Sequence, residues 1–376
     1  MSSVAEHHEP TRLILVGAGG MGRTWITAIL KESRAELAGV VDLDQDTARQ
    51  ALAEVGRQDV PIGVDAVEMA GRTGAAAVVN VTVPRAHHPV TTAALFAGLP
   101  VLSEKPVADT LPRALSLAAA SEATGRLCMV SQSRRYNDDL FTFKAQGRRL
   151  GTAGILTTEF FKAPRFGGFR DKMLHPLLLD MAIHPFDTAR FLLDSEPESV
   201  YCEEFNPPWS WYTDGAAASA IFTMASGARF VYTGSWCSPE QETSWNGRWR
   251  LSAEHGTVIW DGDAAPTAVG SGQGEAPAAD EACSRAPGES VAGALVEFLE
   301  ALQGEGRPMG EVHQNIMSLA MVEAAVESAA RGGRVRLDEV LQAAHRTALS
   351  EETRKEVREQ LAQWSSVRGA LTAGVS

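Results

Sequence analysis

Six residues, Gly17-Ala18-Gly19-Gly20-Met21-Gly22, do most to limit how this chain can fold. They follow the short apolar run Leu13-Ile14-Leu15-Val16, which reads as a strand buried on both faces. They open a segment from about Met21 to Lys31 that reads as a helix. In such a turn the first glycine permits the tight bend, the second lets the backbone approach a pyrophosphate, and the third lets the helix lie close to the strand. The helix N-terminus then offers unpaired N–H groups and a partial positive charge to phosphate. Asp42 ends the next strand, Glu36 to Val41, where an acidic residue meets ribose hydroxyls. Together these residues point to a dinucleotide site. A carboxylate at Asp42 accepts both ribose hydroxyls and repels a 2′-phosphate, so NAD is expected in preference to NADP.

The alternation continues downstream. A second helix is expected over Asp46 to Val55, a strand from Ala75 to Val83 stopped by Pro84, and a helix from Pro89 to Ala97. The strand Pro100 to Ser103, a helix from Leu111 to Thr124 and the strand Leu127 to Ser131 complete a βαβ series with right-handed crossovers. Beyond about Ser133 the period changes to alternating segments at 155–161, 200–205, 217–224, 228–236 and 248–253, with Ser226-Gly227 as a hairpin turn. The fold class is therefore α/β: an N-terminal Rossmann domain (1–132), then an α+β domain on an open, mostly antiparallel sheet (133–336). One sheet face should carry helices and leave the other for self-association. The Ala-, Gly-, Pro- and acid-rich stretch 262–289 reads as a loop. Helices are expected at 290–303 and 313–331, and a C-terminal helical extension over 337–376 whose charged helix runs from Leu337 to Ser365.

Length supports two domains, since 376 residues exceed what one core ordinarily serves. A net charge of −13 argues against nucleic acid as partner. The four cysteines, Cys128, Cys202, Cys237 and Cys283, are widely spaced and suggest neither a metal site nor a disulfide framework. The polar, acidic stretch from Met1 to Glu9 and the want of any long apolar run lead to the expectation of a cytoplasmic protein with no membrane partner.

Ser103-Glu104-Lys105-Pro106 lies at the carboxyl end of an expected parallel strand, where open α/β sheets place ligands. With it, the ordered features Gly17–Gly22, Asp42, Thr82–Pro84 with His87, Glu104-Lys105-Pro106, Arg134-Arg135-Tyr136-Asn137 and Asp180 to Asp187 resemble the glucose–fructose oxidoreductase, inositol dehydrogenase and rhizopine-catabolism (Gfo/Idh/MocA) family of NAD(P)-dependent oxidoreductases. The resemblance implies a Rossmann domain followed by an open-sheet domain. It makes Lys105 an active-site lysine and Glu104 a contact near the nicotinamide ribose, and it has Thr82, Pro84 and His87 line the cofactor site. Arg135 and Tyr136 match the family motif as substrate contacts. Ala182 fills a position that is commonly glycine in the family's aspartate-to-histidine motif.

Leu177 to Asp187 reads as a helix introduced by Pro176, and on a helix Asp180 and His184 share one face. Their neighbours are apolar, so the pair is expected to be buried, and Pro185 removes an N–H within it. Oxidation of an alcohol requires a base for the hydroxyl proton. His184 suits that role, Asp180 would orient it, and Lys105 would hydrogen-bond the reacting oxygen; the proton acceptor is either Lys105 or His184.

The family implies a sugar, cyclitol or sugar derivative as substrate, oxidised or reduced at a secondary hydroxyl or ketone. Five tryptophans, Trp209, Trp211, Trp236, Trp245 and Trp249, cluster in the second domain, where most should pack a core. Arg134, Arg135, Tyr136, Lys162, Arg165 and His175 are polar residues that can reach a substrate, Lys162 included among the substrate-binding set. A homo-oligomer, dimer or tetramer, is expected. Two other functions share the pattern: an NAD-dependent glycosidase working by transient oxidation and elimination, and a sensor that binds dinucleotide or sugar without turnover.

Overall fold

The computed structural model describes residues 9–168, 170–270 and 286–372. They divide into two compact units, one comprising the chain to Ser133, Pro287–Ile316 and the chain from His345, the other Arg134–Ala286 and Met317–Ala344.

The first unit begins β1 (Thr11–Val16), α1 (Gly20–Lys31), β2 (Ala35–Val41), α2 (Gln45–Glu54), β3 (Ile62–Gly63), α3 (Ala66–Thr73), β4 (Ala77–Asn80), α4 (Pro84–Phe96), β5 (Val101–Glu104), α5 (Leu111–Thr124) and β6 (Cys128–Ser131). The strands form one parallel sheet in the order β3-β2-β1-β4-β5-β6. This is the doubly wound dinucleotide-binding order, and the reversal beside β1 opens a crevice at the strands' carboxyl ends. β4, β5 and β6 are buried along their whole length, as strands covered on both faces require.

Two helix starts differ from the sequence pattern for local reasons. α3 was not anticipated: Asp65 caps it by accepting from Glu68 N, and Gly74 ends it in the left-handed region. α4 starts at Pro84, five residues before its expected start, because a proline costs nothing at the first helical position, and Pro89 sits inside the helix. The strand expected over 75–83 is correspondingly shorter.

The second unit holds α6 (Asp138–Arg149), β7 (Ala153–Phe161), a π-helix (Pro176–Ala182), α7 (Ile183–Leu193), β8 (Pro197–Phe205), β9 (Ala217–Met224), β10 (Arg229–Ser235), β11 (Arg248–Ala253), β12 (Gly256–Trp260) and β13 (Thr267–Gly270). α6, β12 and β13 are additions to the sequence reading. β13 falls in the stretch expected as a loop, of which residues 271–285 lie outside the described ones. Later come α8 (Ser290–Leu302), α9 (Val312–Arg331), β14 (Val335–Arg336), α10 (Leu337–Glu351), α11 (Lys355–Gln363) and α12 (Val367–Thr372). The sheet order is β13-β12-β11-β7-β10-β9-β8-β14, antiparallel except for the β7–β10 pair. Gly227 turns β9 into β10 with φ +86°, as expected of the hairpin. One sheet face is filled by an aromatic core in which Phe186 of α7 meets Phe222, Phe230 and Tyr232. The opposite face carries a hydrogen-bonded row, Tyr201, Ile221, Val231, Thr157, Arg250 and Ile259, with Ile221 and Ile259 exposed.

The single helix expected from Leu337 to Ser365 is two, α10 and α11, with α12 beyond it, and α11 does not stand apart: it packs on α5 within the first unit. A polar clasp fastens them. The His313 ring contacts Glu311 Oε1 at 2.6 Å through Nδ1 and Glu122 Oε1 at 3.0 Å through Nε2, while Trp364 Nε1 donates to Glu122 Oε2 at 2.9 Å. Burial disfavours the imidazolium, but the hydrogen bonds its ring donates to Glu122 and Glu311 and their charges outweigh it and raise the His313 pKa to about 9.

That shift sets a pH dependence. A histidine whose folded pKa lies above its unfolded value contributes fully below about 6.5, and the contribution is lost as pH rises through about 9. Melting temperature should therefore fall between neutral pH and pH about 10. In His313→Gln that part of the slope should disappear, at a cost of on the order of 3 kcal/mol at neutral pH. An unchanged slope in the variant would show that the clasp does not carry a buried imidazolium.

Candidate functional site

The glycine loop is built by close approach. Gly17 has φ +99°, and a Cβ there would stand 2.7 Å from Val81 O; one on Gly22 would stand 2.2 Å from Gly17 O. The first and last glycines are thus demanded by packing. Around Gly19 and Gly20 a Cβ would meet nothing within 4 Å, so this side of the loop faces open space. Gly19 caps α1 with no side-chain bond to its first N–H groups. Unpaired donors at a helix start beside open space fit a dinucleotide pyrophosphate. Met21 is exposed on the same turn.

Asp42 stands beside this loop. Its Oδ2 accepts from Ala18 N at 2.8 Å and its Oδ1 from Asp44 N at 2.9 Å. Two main-chain donors thereby fix the carboxylate, and each oxygen keeps a lone pair for a hydroxyl. Arg49 turns away into an exposed pair with Asp46.

Two buried ties, neither found from sequence, hold the turns after β4 and β5. Asn80 Oδ1 accepts from Thr82 Oγ1 at 2.7 Å, while its Nδ2 donates to Thr91 Oγ1 at 3.1 Å. The His87 ring lies between Pro106 O at 2.6 Å and Thr82 O at 2.9 Å, linking the Thr82 turn to the cis Lys105-Pro106 turn. Burial lowers the His87 pKa, opposed by the two carbonyls, which favour the charged ring. Expected to line the cofactor site, His87 is instead 1% exposed and braces it.

Glu104 is likewise inside. Its Oε1 accepts from Trp25 Nε1 at 2.9 Å and its Oε2 from Lys105 N at 3.1 Å. Burial raises its pKa, with Trp25 and Lys105 opposing. The carboxylate thus positions Lys105 from below, a role the sequence could not distinguish from ribose contact.

In the second unit Asp180 lies on the π-helix and His184 on α7. Pro185 has no N–H and its ring crowds the carbonyl four residues back, Met181 O, so the turn just before it widens to π geometry. His184 is buried at 7% exposure. Asp180 keeps a side chain 21% exposed and accepts from Arg170 Nε at 3.3 Å. His175 enters the π-helix in left-handed conformation, φ +49°, held by Asp214 on its N–H at 2.9 Å and by Glu204 on Nδ1 at 2.5 Å.

The other candidates divide. Arg135 forks onto Asp187 through Nε at 2.6 Å and Nη2 at 2.8 Å, and Asp187 also accepts from Ser318 Oγ at 2.6 Å. This is a core ion pair, and Tyr136 beside it is 1% exposed, so both side chains are taken up by the core. Lys162 Nζ donates to Glu242 at 2.9 Å over the face of Trp245. Trp236 and Trp249 are buried, whereas Trp209 and Trp245 are exposed. Among the described residues no cluster of metal-ligand type occurs, the described cysteines Cys128, Cys202 and Cys237 are free and buried, and no helix is long and apolar enough to cross a membrane.

Residues 11–132 match the model of an oxidoreductase family with an NAD-binding Rossmann fold, and residues 162–259 match the GFO/IDH/MocA C-terminal domain. The protein y4oX of Sinorhizobium fredii is 28% identical, the match covering 88% of this chain and 97% of that one. Inositol 2-dehydrogenase 4 of Saccharopolyspora erythraea is 33% identical over 50% of this chain and 56% of its own length. An Agrobacterium radiobacter oxidoreductase crystallised with NAD+, L-tartaric acid and magnesium has the same fold, with TM-score 0.76 at 19% identity over 88% of this chain and 99% of that one.

The buried brace yields a prediction. Glu104→Gln keeps an acceptor for Trp25 but turns its NH2 toward the Lys105 N–H, and should lose less stability than the alanine variant. Glu104→Ala strands the indole N–H and leaves a void, and should lower unfolding free energy by about 2–4 kcal/mol in denaturant titration. Equal stability of the two variants would remove the bracing role.

Proposed function

Because the chain belongs to the Gfo/Idh/MocA family of NAD-binding oxidoreductases, we propose that it moves a hydride between NAD and a secondary hydroxyl, or the corresponding ketone, of a sugar, cyclitol or sugar derivative. The observation that carries this reading is the glycine loop, closed by packing at Gly17 and Gly22 and open at Gly19 and Gly20. The inositol 2-dehydrogenase relatives support the substrate class.

The residues that would hold the cofactor are Gly17, Ala18, Gly19, Gly20, Met21 and Gly22 at the phosphates, and Asp42 at the ribose. Thr82 and Pro84 flank them, and Glu104 acts through Lys105. Bound NAD supplies the hydride acceptor. His184 takes the hydroxyl proton as the carbon–oxygen double bond forms, and returns it in reduction. Asp180 orients the imidazole and offsets its charge, and the Lys105 ammonium stabilises the developing alkoxide. Fixed by two main-chain donors, the Asp42 carboxylate favours a free 2′-hydroxyl over a phosphate, which makes NAD the preferred cofactor.

A polyol and sugar panel with NAD and NADP tests the reading by NADH absorbance. His184→Ala should lower kcat by about 10²–10⁴-fold with NAD affinity little changed. Full turnover by that variant would sink the proton-transfer assignment. Asp42→Ala should weaken NAD binding by about tenfold and narrow its margin over NADP; an unaltered ratio would separate Asp42 from cofactor choice.

We also propose that the protein self-associates through the uncovered sheet face. Ile221 stands exposed on it beside Val231 and Tyr201, an apolar patch of the kind that marks an interface, with Thr157 and Arg250 between this patch and the exposed Ile259. Light scattering after gel filtration should report a multimer for the parent chain and a monomer for Ile221→Lys. A multimer unaffected by the lysine would place the interface elsewhere.

A further inference from the structure

Arg134 and Arg135 are sequence neighbours with opposite electrostatic situations. Arg135 spends its Nε–Nη2 edge on Asp187, the bidentate geometry that guanidinium and carboxylate share. Arg134 uses only Nη1, donating to the main-chain oxygen of Trp245 and, at 3.1 Å, to Asn246 Oδ1. Both acceptors are neutral. No carboxylate forms an ion pair with Arg134 among the described residues, and its Nε–Nη2 edge has no acceptor there.

The surroundings make this costly. Burial pushes the Arg134 pKa down to about 10, and no neighbouring charge opposes the shift. Buried charges are ordinarily paired, as Lys162 is with Glu242 and the part-exposed Arg170 is with Asp180. Arg134 nonetheless remains half-buried rather than enclosed. It lines a pocket with Phe160, Trp245, Trp249, Met181 and Pro185. Met181 directly follows Asp180 and Pro185 directly follows His184, so the pocket borders the helical turns assigned to catalysis.

We infer that the Nε–Nη2 edge of Arg134 recognises an anionic group of the substrate, and that the substrate is a polyhydroxylated carboxylic acid of the aldonic or uronic type rather than a neutral polyol. The inference rests on the dehydrogenase reading only for the word substrate; anion recognition is tested without turnover. A carboxylate in the fork supplies the counter-charge the pocket lacks and leaves the sugar hydroxyls to aromatic and polar walls. A neutral ligand leaves the half-buried cation without a counter-charge.

The test is calorimetric titration of the NAD-saturated protein with D-glucuronate, D-galacturonate, D-gluconate and L-tartrate, each against its amide. At least one acid should bind about tenfold or more tightly than its amide. Arg134→Gln should bring that ratio to about one, and Arg134→Lys, which keeps charge without the fork, should retain part of it. If every acid binds no better than its amide, or if Arg134→Gln preserves the ratio, the inference is overturned. Should the glutamine variant fail to fold, the parent ratio and the lysine variant decide. An acid that binds selectively yet never yields NADH would overturn the dehydrogenase reading and leave the anion site standing.

Discussion

The close contact at Gly17, where the chain leaves β1 and passes under Val81 O, is the constraint on which the cofactor half of this protein depends. A side chain there would meet a carbonyl at 2.7 Å, so only glycine lets the turn sit this deep. Depth has consequences in both directions. It brings Ala18 N within 2.8 Å of Asp42, tying the end of β2 to the loop, and it starts α1 so that its first N–H groups face open space. The same backbone path that packs the sheet thereby makes the anion site.

The turns after β4 and β5 are organised differently, by buried side chains that stand in for main-chain bonds. Asn80, fully buried, satisfies both its amide groups within the Thr82 turn and α4. His87 spans from that turn to Pro106, and Glu104 ties Lys105 to Trp25 of α1. A polar network inside an apolar sheet is costly when incomplete, so each member limits where the others can move. Lys105 is accordingly presented by a framework that touches α1, β4 and α4 as well as its own strand.

Legibility in the sequence followed the same division. The glycine loop, Asp42 and the parallel strands were readable because their requirements are local: a turn only glycine makes, an apolar run too continuous to be half-exposed. α3 was missed because it is short and its cap, Asp65, looks like any loop acid. α4 begins earlier than the pattern suggests because Pro84, which reads as the stop of a strand, is its first helical residue. Glu104, His87 and Arg135 were identified by type, yet whether each faces a ligand or the core depends on partners remote in sequence, Trp25, Pro106 and Asp187. The unpaired edge of Arg134 was invisible for the same reason, since an absent partner leaves no trace in a pattern.

The turn that carries Asp180 and His184 shows how strain and support are distributed in the second unit. Pro185 denies the helix a hydrogen bond, and His175 enters it in a conformation that costs a non-glycine residue of order 1 kcal/mol or more. Neither is tolerable without anchors. On the entry side Glu204 and Asp214 hold His175 through ring and backbone. On the exit side Asp187 and Arg190, two and five residues past Pro185, gather Arg135, Ser318 and Glu196. The widened turn is thus clamped at both ends by charge-assisted bonds, which confines the irregularity to the residues between them. An ordinary α-helix would need no such clamps, and would not set Asp180 partly exposed beside Arg170 while burying His184 a turn away. The irregular turn and its anchors are therefore one device, and the position of the proposed proton-transfer pair follows from both.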